Sequence, residues 1–251
     1  LYEGRMIGQF DFSQKGWVSG KGRSAVWRDI PWEKKVIEPQ FLMPLMTYEA
    51  ERDAKHRVAR VAFMDITSAT NMRTCISTAL PSIPCGNSAP ILTSRLHPSA
   101  LCATLNAFAY DYIARQRCGG LHLNYFVIEE TTLPSVGSSA KLVTTLSSRL
   151  LAAHAQMAPL IALTRASRIR AAITSHERLR LRCMLDAIIA ALYGLSRDDF
   201  AWILKDCDHP AARLGDRKFC RTLDPKGFWR VDKAVDPELR HPVLSLVAFD
   251  D

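Results

Sequence analysis

The stretch Gly119-Gly120-Leu121-His122-Leu123-Asn124-Tyr125-Phe126-Val127-Ile128, with the helix that leads into it, constrains the fold most. Apolar residues recur at helical spacing through Leu101, Leu105, Phe108, Tyr112 and Ile113. Arg115 and Arg117 then fall in the last turn, where cations suit the negative end of the helix dipole. The glycine pair is predicted to stop the helix by taking the left-handed conformation a helix end asks for. The residues beyond it alternate and are rich in β-branched and aromatic types, which predicts a strand. His122 and Asn124 would then stand on rigid backbone beside apolar partners.

Similar signals organise the rest of the chain. Residues 1–12 read as a strand, and 13–35 as a polar, glycine-bearing loop carrying Lys15, Lys21, Arg23 and Arg28 with Trp17, Trp27 and Trp32. A strand is expected over 57–66, a helix over 71–80, and a strand over 83–92 bent at Gly86. Pro98 opens the next helix, a position where its missing N–H costs nothing. Strand, helix, strand, helix, strand over residues 57–134 predicts a mixed α/β fold, and the α/β domain is placed at residues 1–136. Residues 137–251 read as a helical segment with a C-terminal tail. There Ser175 can cap a helix with an apolar face of Leu181, Met184, Leu185, Ile188, Ile189 and Leu192, ended by Gly194. Ser196 and Asp199 form a capping-box pattern, with Leu195 placed to staple against Phe200. Val243 to Phe249 reads as a final strand.

At 251 residues the chain can bury one large core or two smaller ones. The most apolar stretch, 150–163, is interrupted by His154, Gln156 and Pro159, so no membrane span is expected. Seven scattered cysteines, without a Cys-x-x-Cys or a secretory leader, suit reduced thiols and a cytoplasmic location. The start at Leu1, already in a strand-like pattern, suggests a piece of a longer protein.

Motifs for chemistry are sparse. Gly20-Lys21-Gly22 is too short for a phosphate or dinucleotide loop, and no Gly-x-Ser-x-Gly occurs. Cys118 with His122, and Cys207 with His209, lack the partners that zinc needs. Nothing in the order of Asp65, Asp111, Glu129 and Glu130 makes them converge. The net charge of +8 favours an acidic partner, nucleic acid above all. Arg165, Arg168, Arg170, Arg178, Arg180 and Arg182 face the single acid Glu177, as a solvated helical face or a binding one. The cations interleaved with tryptophans in 13–35 suit phosphates and base edges, or a loop pinned to a core.

Three blocks carry a resemblance. They are Leu1-Tyr2-Glu3-Gly4-Arg5-Met6-Ile7-Gly8-Gln9-Phe10-Asp11, then Phe63-Met64-Asp65-Ile66-Thr67 through Thr70-Asn71-Met72-Arg73-Thr74 to Cys85-Gly86-Asn87-Ser88 and Asn124-Tyr125-Phe126, then Leu192-Tyr193-Gly194-Leu195-Ser196-Arg197-Asp198-Asp199 with Gly227-Phe228-Trp229-Arg230-Val231-Asp232-Lys233. In this order the chain resembles the C-terminal target recognition region of restriction–modification enzymes that are adenine-specific DNA methyltransferases. It departs from that pattern at Met64, Met72 and Leu121, where apolar residues replace polar ones.

The resemblance implies a target-recognition-like α/β domain and a helical segment packing on an upstream methyltransferase domain of the same polypeptide. That domain would bind S-adenosylmethionine, carry an Asn-Pro-Pro-Tyr-type motif and flip the target adenine. Neither the cofactor loop nor the tetrapeptide occurs here, so this chain is expected to be non-catalytic and to hold no cofactor. Its partner would be double-stranded DNA. Expected phosphate contacts are Lys15, Lys21, Arg23 and Arg28, supported by Arg165, Arg168 and Arg170. Expected base readers are Asn71, Arg73, Asn87, Ser88 and Asn124. Asn71 as a helix cap, Asn87 as a turn residue and Asn124 as a satisfied strand amide are the plain alternatives. A second function class is a protein–protein interaction module of a phage-defence complex; a third is an enzyme with an unrecognised site.

Overall fold

The computed structural model describes residues 1–51, 59–152, 154–164 and 169–251. The fold mixes helices with antiparallel sheets, as the sequence predicts. Two compact units emerge. The first comprises Leu1–Ile66, Ile76–Cys102 and Ser139–Ser175; the second comprises Thr67–Cys75, Ala103–Ser138 and His176–Asp251. Each draws on both sides of the expected 136/137 boundary.

Unit one holds the strands. β1 (Lys15–Ser19) and β2 (Val26–Asp29) form an antiparallel ribbon. β3 (Arg60–Phe63), β4 (Ser77–Leu80) and β5 (Ile91–Leu92) form a second sheet with β3 in the middle, antiparallel to both neighbours. Helix α1 (Leu45–Glu51) precedes β3, and α2 (Pro98–Asn106) begins at Pro98 as expected, with its residues from Ala103 onward counted in unit two. Helices α5 (Ala140–Leu151) and α6 (Ala158–Leu163) complete the unit. The buried hydroxyls of Ser99 and Ser148 meet at 2.8 Å.

Three expectations in this unit are corrected. Residues 1–12 form no regular strand. Their backbone is spent on a 3-10 turn at Gly4–Met6 and two isolated bridges, while Tyr2, Met6, Ile7, Phe10 and Phe12 are buried. Residues 13–35 are not a loop but carry the β1–β2 ribbon. The segment 71–80 ends in strand β4 and holds no helix. All four residues of β4 are buried, and a short run buried throughout has no visible period.

Unit two is helical. It contains α3 (Phe108–Arg117), α4 (Tyr125–Glu130), α7 (Ser175–Leu192), α8 (Arg197–Ile203), α9 (Ala211–Gly215), α10 (Arg217–Cys220) and α11 (His241–Asp250). Gly194, at φ +74°, follows the end of α7, and Ser196 with Asp199 forms the expected capping box on α8. The core joins Phe108, Ala190, Phe200, Ile203, Leu204, Phe228 and Val231, with Leu195 packed against it. Removing each such side chain from water contributes roughly 1.5–3 kcal/mol.

Two strand expectations fail here. Residues 121–128 lead into helix α4, and α3 ends at Cys118 with φ −75°, so no left-handed glycine ends that helix. Val243–Phe249 belongs to α11, whose Val243, Leu246 and Phe249 pack on the core at intervals of three. Pro242 fits its first turn.

The centre of unit two is charged. Asp111 and Arg115 are fully buried, and Arg73 is nearly so. Arg115 Nε donates to Asp111 Oδ1 at 3.0 Å and its Nη1 to the Lys226 carbonyl at 2.6 Å. Arg73 Nε lies 2.9 Å from Asp111 Oδ2, a charge pair without a well-aimed hydrogen bond. The Thr74 amide also donates to both carboxylate oxygens. Both guanidiniums lie against rings, Arg73 4.1 Å from Phe108 and Arg115 3.8 Å from Phe228. Burial works against the Arg115 cation, and Asp111 opposes that loss. Beside this cluster Asp186 accepts from the Phe108 amide at 2.9 Å and from Ser245 at 3.2 Å, and meets His241 Nε2 at 2.6 Å.

Candidate nucleic-acid interface

The ribbon is the best-built candidate. Trp17 pairs with Trp27 and Lys15 with Asp29 across the strands, and the register slips between Trp17 and Ser19. Because cross-strand pairs share a face, Lys15 and the two tryptophans stand together. Gly16 and Arg28 occupy the opposite face. A Cβ at Gly16 would strike Glu38, whose carboxylate pairs with Arg28 at 2.5 Å.

The tip is a tight turn. Gly20 takes φ +75°, and a Cβ there would strike the Ser24 carbonyl. The Ser24 amide and hydroxyl both donate to the Lys21 carbonyl, and Trp17 Nε1 donates to the Gly20 carbonyl at 3.0 Å. Lys21 and Arg23 are exposed on this turn, and neither makes an ion pair among the described residues.

The base of the ribbon is pinned by a buried lysine. Lys35 Nζ donates to the carbonyls of Ser13 at 2.9 Å and Ile30 at 2.7 Å, one on each foot. Its third donor goes to Asp11 Oδ2 at 2.6 Å. An ammonium has three donors, so this burial leaves none unmet. Neither Lys35 nor Asp11 was singled out from sequence. The signal available was the second of two adjacent lysines, Lys34 and Lys35, after Pro31 and Trp32, which reads as surface charge.

The other predicted residues fall elsewhere. In unit one, Asn87 is exposed on the turn after Cys85. Ser88 is structural: its hydroxyl accepts from the Gly4 amide at 3.0 Å, and its carbonyl accepts from the Asp65 amide at 3.2 Å. Gly4 approaches so closely that a Cβ would strike the Ser88 carbonyl. Arg170 is exposed, with its own carbonyl accepting from Arg149 Nε at 3.1 Å. Arg165 and Arg168 lie outside the described residues.

In unit two, Asn71 is exposed and caps no helix; its amide donates to Thr67 Oγ1 at 3.2 Å and it accepts from Ser68 Oγ at 3.0 Å. Asn124 is exposed at the start of α4 and caps nothing with its side chain. The Thr67 amide donates to the Leu121 carbonyl at 3.0 Å, which joins the two segments carrying these asparagines. Arg73 is withdrawn as a base reader: at 9% exposure its guanidinium serves Asp111 and the core.

Four thiols are poor nucleophiles. Burial pushes Cys85 up to about 11 and Cys183 up to about 12, and it raises Cys102 and Cys207 further. Among the described residues no group of three or more His, Cys, Asp and Glu could hold a metal ion. No helix among them is long and apolar enough to cross a membrane. A cleft of about 200 Å³ in unit one is lined by Arg60, Val61, Leu92, Ser94, Leu101 and neighbours. Among the described residues its lining holds no carboxylate, and Arg60 donates to the Ile83 carbonyl at 2.7 Å.

No family model, curated protein or solved structure matches the chain.

Proposed function

We propose that the chain recognises double-stranded DNA on behalf of an adenine-specific DNA methyltransferase, supplying the target recognition region and no catalysis. One observation carries this reading: a two-stranded ribbon whose tip presents Lys21 and Arg23 to solvent, on a base fixed by Lys35. The major groove of B-DNA admits a two-stranded ribbon. Lys15, Lys21, Arg23 and Arg28 would neutralise phosphates and set register, and Asn71, Asn87 and Asn124 remain as exposed amides able to read base edges. S-adenosylmethionine and the methyl-transfer chemistry would belong to the methyltransferase domain.

The test is a titration of labelled duplex with the chain and with K21Q/R23Q, at salt from about 50 to about 200 mM. The reading expects salt-dependent binding that weakens at least tenfold in the variant. Absence of binding at about 100 µM and low salt contradicts it.

A second reading, a protein-interaction module of a phage-defence complex, is favoured by Phe41, Leu42, Met43, Leu45 and Met46. Five large apolar side chains are exposed within six residues, Leu42 at 85% and Met46 at 81%. Clustered exposed apolar surface marks contact sites. The two readings are compatible, since a recognition region must also dock its catalytic partner.

A further inference from the structure

The segment from Lys205 to Lys233 carries eight cations against five aspartates, and none of the cations is among the expected DNA contacts. Four of them, Arg213, Arg217, Lys218 and Arg221, fall within nine residues on α9, α10 and the end of α10, and all are exposed. Among the described residues none makes an ion pair. Arg217 and Arg221 are one helical turn apart and share a face.

Most of the nearby carboxylates already have partners. Asp216 caps α10 through the Lys218 amide at 2.8 Å. Asp224 accepts from the Lys226 amide at 2.8 Å, and Asp206 meets His209 Nε2 at 3.3 Å. Asp232 accepts from the His241 amide at 3.1 Å, and Asp208 is exposed.

The cations sit on a built platform. The Arg213 guanidinium lies 4.0 Å from the Phe219 ring, and Phe219 meets the edge of His209 at 5.0 Å. The His209 carbonyl is held by Arg240, which is fully buried and also donates to the carbonyls of Cys207, Val235 and Lys233. A guanidinium held over a ring loses little freedom when it takes a phosphate through its N–H fork. Cations also lie over rings at Lys205, 4.1 Å from Trp202, and at Arg230, 4.0 Å from Trp229.

We propose that Arg213, Arg217, Lys218 and Arg221 form a second phosphate-contact surface, which binds the backbone of nucleic acid. The inference rests on the DNA-recognition reading and extends it to a surface outside the ribbon. A repeating polyanion suits four closely spaced cations with one acid among them. A lipid surface would ask for apolar side chains to insert, and residues 211–221 expose no large apolar one.

The experiment titrates labelled duplex DNA with the full chain, with R213Q/R217Q/K218Q/R221Q and with K21Q/R23Q in parallel. Thermal melts of each protein accompany the titrations. The inference expects the quadruple variant to lose at least tenfold in affinity at unchanged melting temperature. Its salt slope should fall by about 0.9 for each lost contact. A quadruple variant that binds within twofold of the parent, with the parent's slope, overturns the inference while the ribbon reading stands. Loss in the quadruple variant alone supports the inference and overturns the ribbon. A parent chain that binds no duplex overturns both. Equal binding of polyglutamate at matched charge overturns the assignment to nucleic acid. If the quadruple variant melts early, R217Q/K218Q reads the same slope without disturbing the Arg213–Phe219 stack, with about half the drop expected.

Discussion

The ribbon of unit one and the charged centre of unit two use the same residue types for opposite ends. In the ribbon, Lys21 and Arg23 stand in water on a turn that holds their backbone and leaves their charge available. In unit two, Arg73 and Arg115 share the single carboxylate of Asp111 and lie against Phe108 and Phe228. The lesson is that a net charge of +8 overstates the charge offered to a partner. Part of it is core material, held by a carboxylate, by carbonyls and by aromatic faces. Lys35 bridges the two uses, since it is a buried cation whose three hydrogen bonds set an exposed site.

The largest effect should come from the buried side. Asp111→Ala leaves two buried guanidiniums without their counter-charge and should cost about 3–5 kcal/mol, seen as a lower urea midpoint. A loss under about 1 kcal/mol would mean that the cluster is not a desolvated ion group, and the contrast with the ribbon would fail.

Lys35→Met should cost on the order of 3 kcal/mol, because it leaves Asp11 buried and unpaired. It should also raise hydrogen exchange at the Ile30 amide, which bonds Gln14 across the feet of the ribbon. Unchanged exchange there would remove Lys35 from its place as the pin.

The next effect is a pH dependence. Burial lowers the His241 pKa below its ordinary 6.5, although the Asp186 charge pulls it back up. The native state therefore binds fewer protons than the unfolded state just below pH 6.5, and stability falls as pH drops through that value. The slope from this one group is at most about 1.4 kcal/mol per pH unit. Chemical denaturation from about pH 7.5 to about pH 5.5, roughly one unit either side of the free histidine value, should show the slope in the parent and a smaller one in His241→Gln. An equal slope in both would assign it to other groups.

The smallest effect belongs to the exposed pair Arg28–Glu38. Arg28→Gln should change stability by less than about 1 kcal/mol. Its DNA affinity should fall less than that of K21Q/R23Q, because Arg28 already has a carboxylate partner.

What could be read from sequence divides along physical lines. The junction of α7 and α8 was legible because Gly194, Ser196, Asp199 and Leu195 are local signals that need no tertiary context. Pro98 and the strand at 60–63 were legible for the same reason. The short apolar runs at 121–128 and 243–249 were not, since such a run suits a buried strand or one face of a helix equally. The ribbon was hidden by its polar tip, although Trp17-Val18 and Val26-Trp27 flank glycines as hairpin strands do. Within the candidate site, exposure could not be read at all. Arg73 and Ser88 resemble Arg23 and Ser24 in sequence and differ only in what folds against them. The platform under Arg213 was missed because it depends on His209, Phe219 and Arg240, which are distant from one another in sequence.

The central claim is that exposed cations on the ribbon bind DNA phosphates while buried ones do not. The most direct measurement is the slope of log affinity against log salt for a labelled duplex, in the parent and in K21Q/R23Q. The account predicts a negative slope in the parent, reduced by about 1.8 in the variant, with the melting temperature unchanged. Equal slopes in two equally stable proteins, or no duplex binding by the parent, would contradict it.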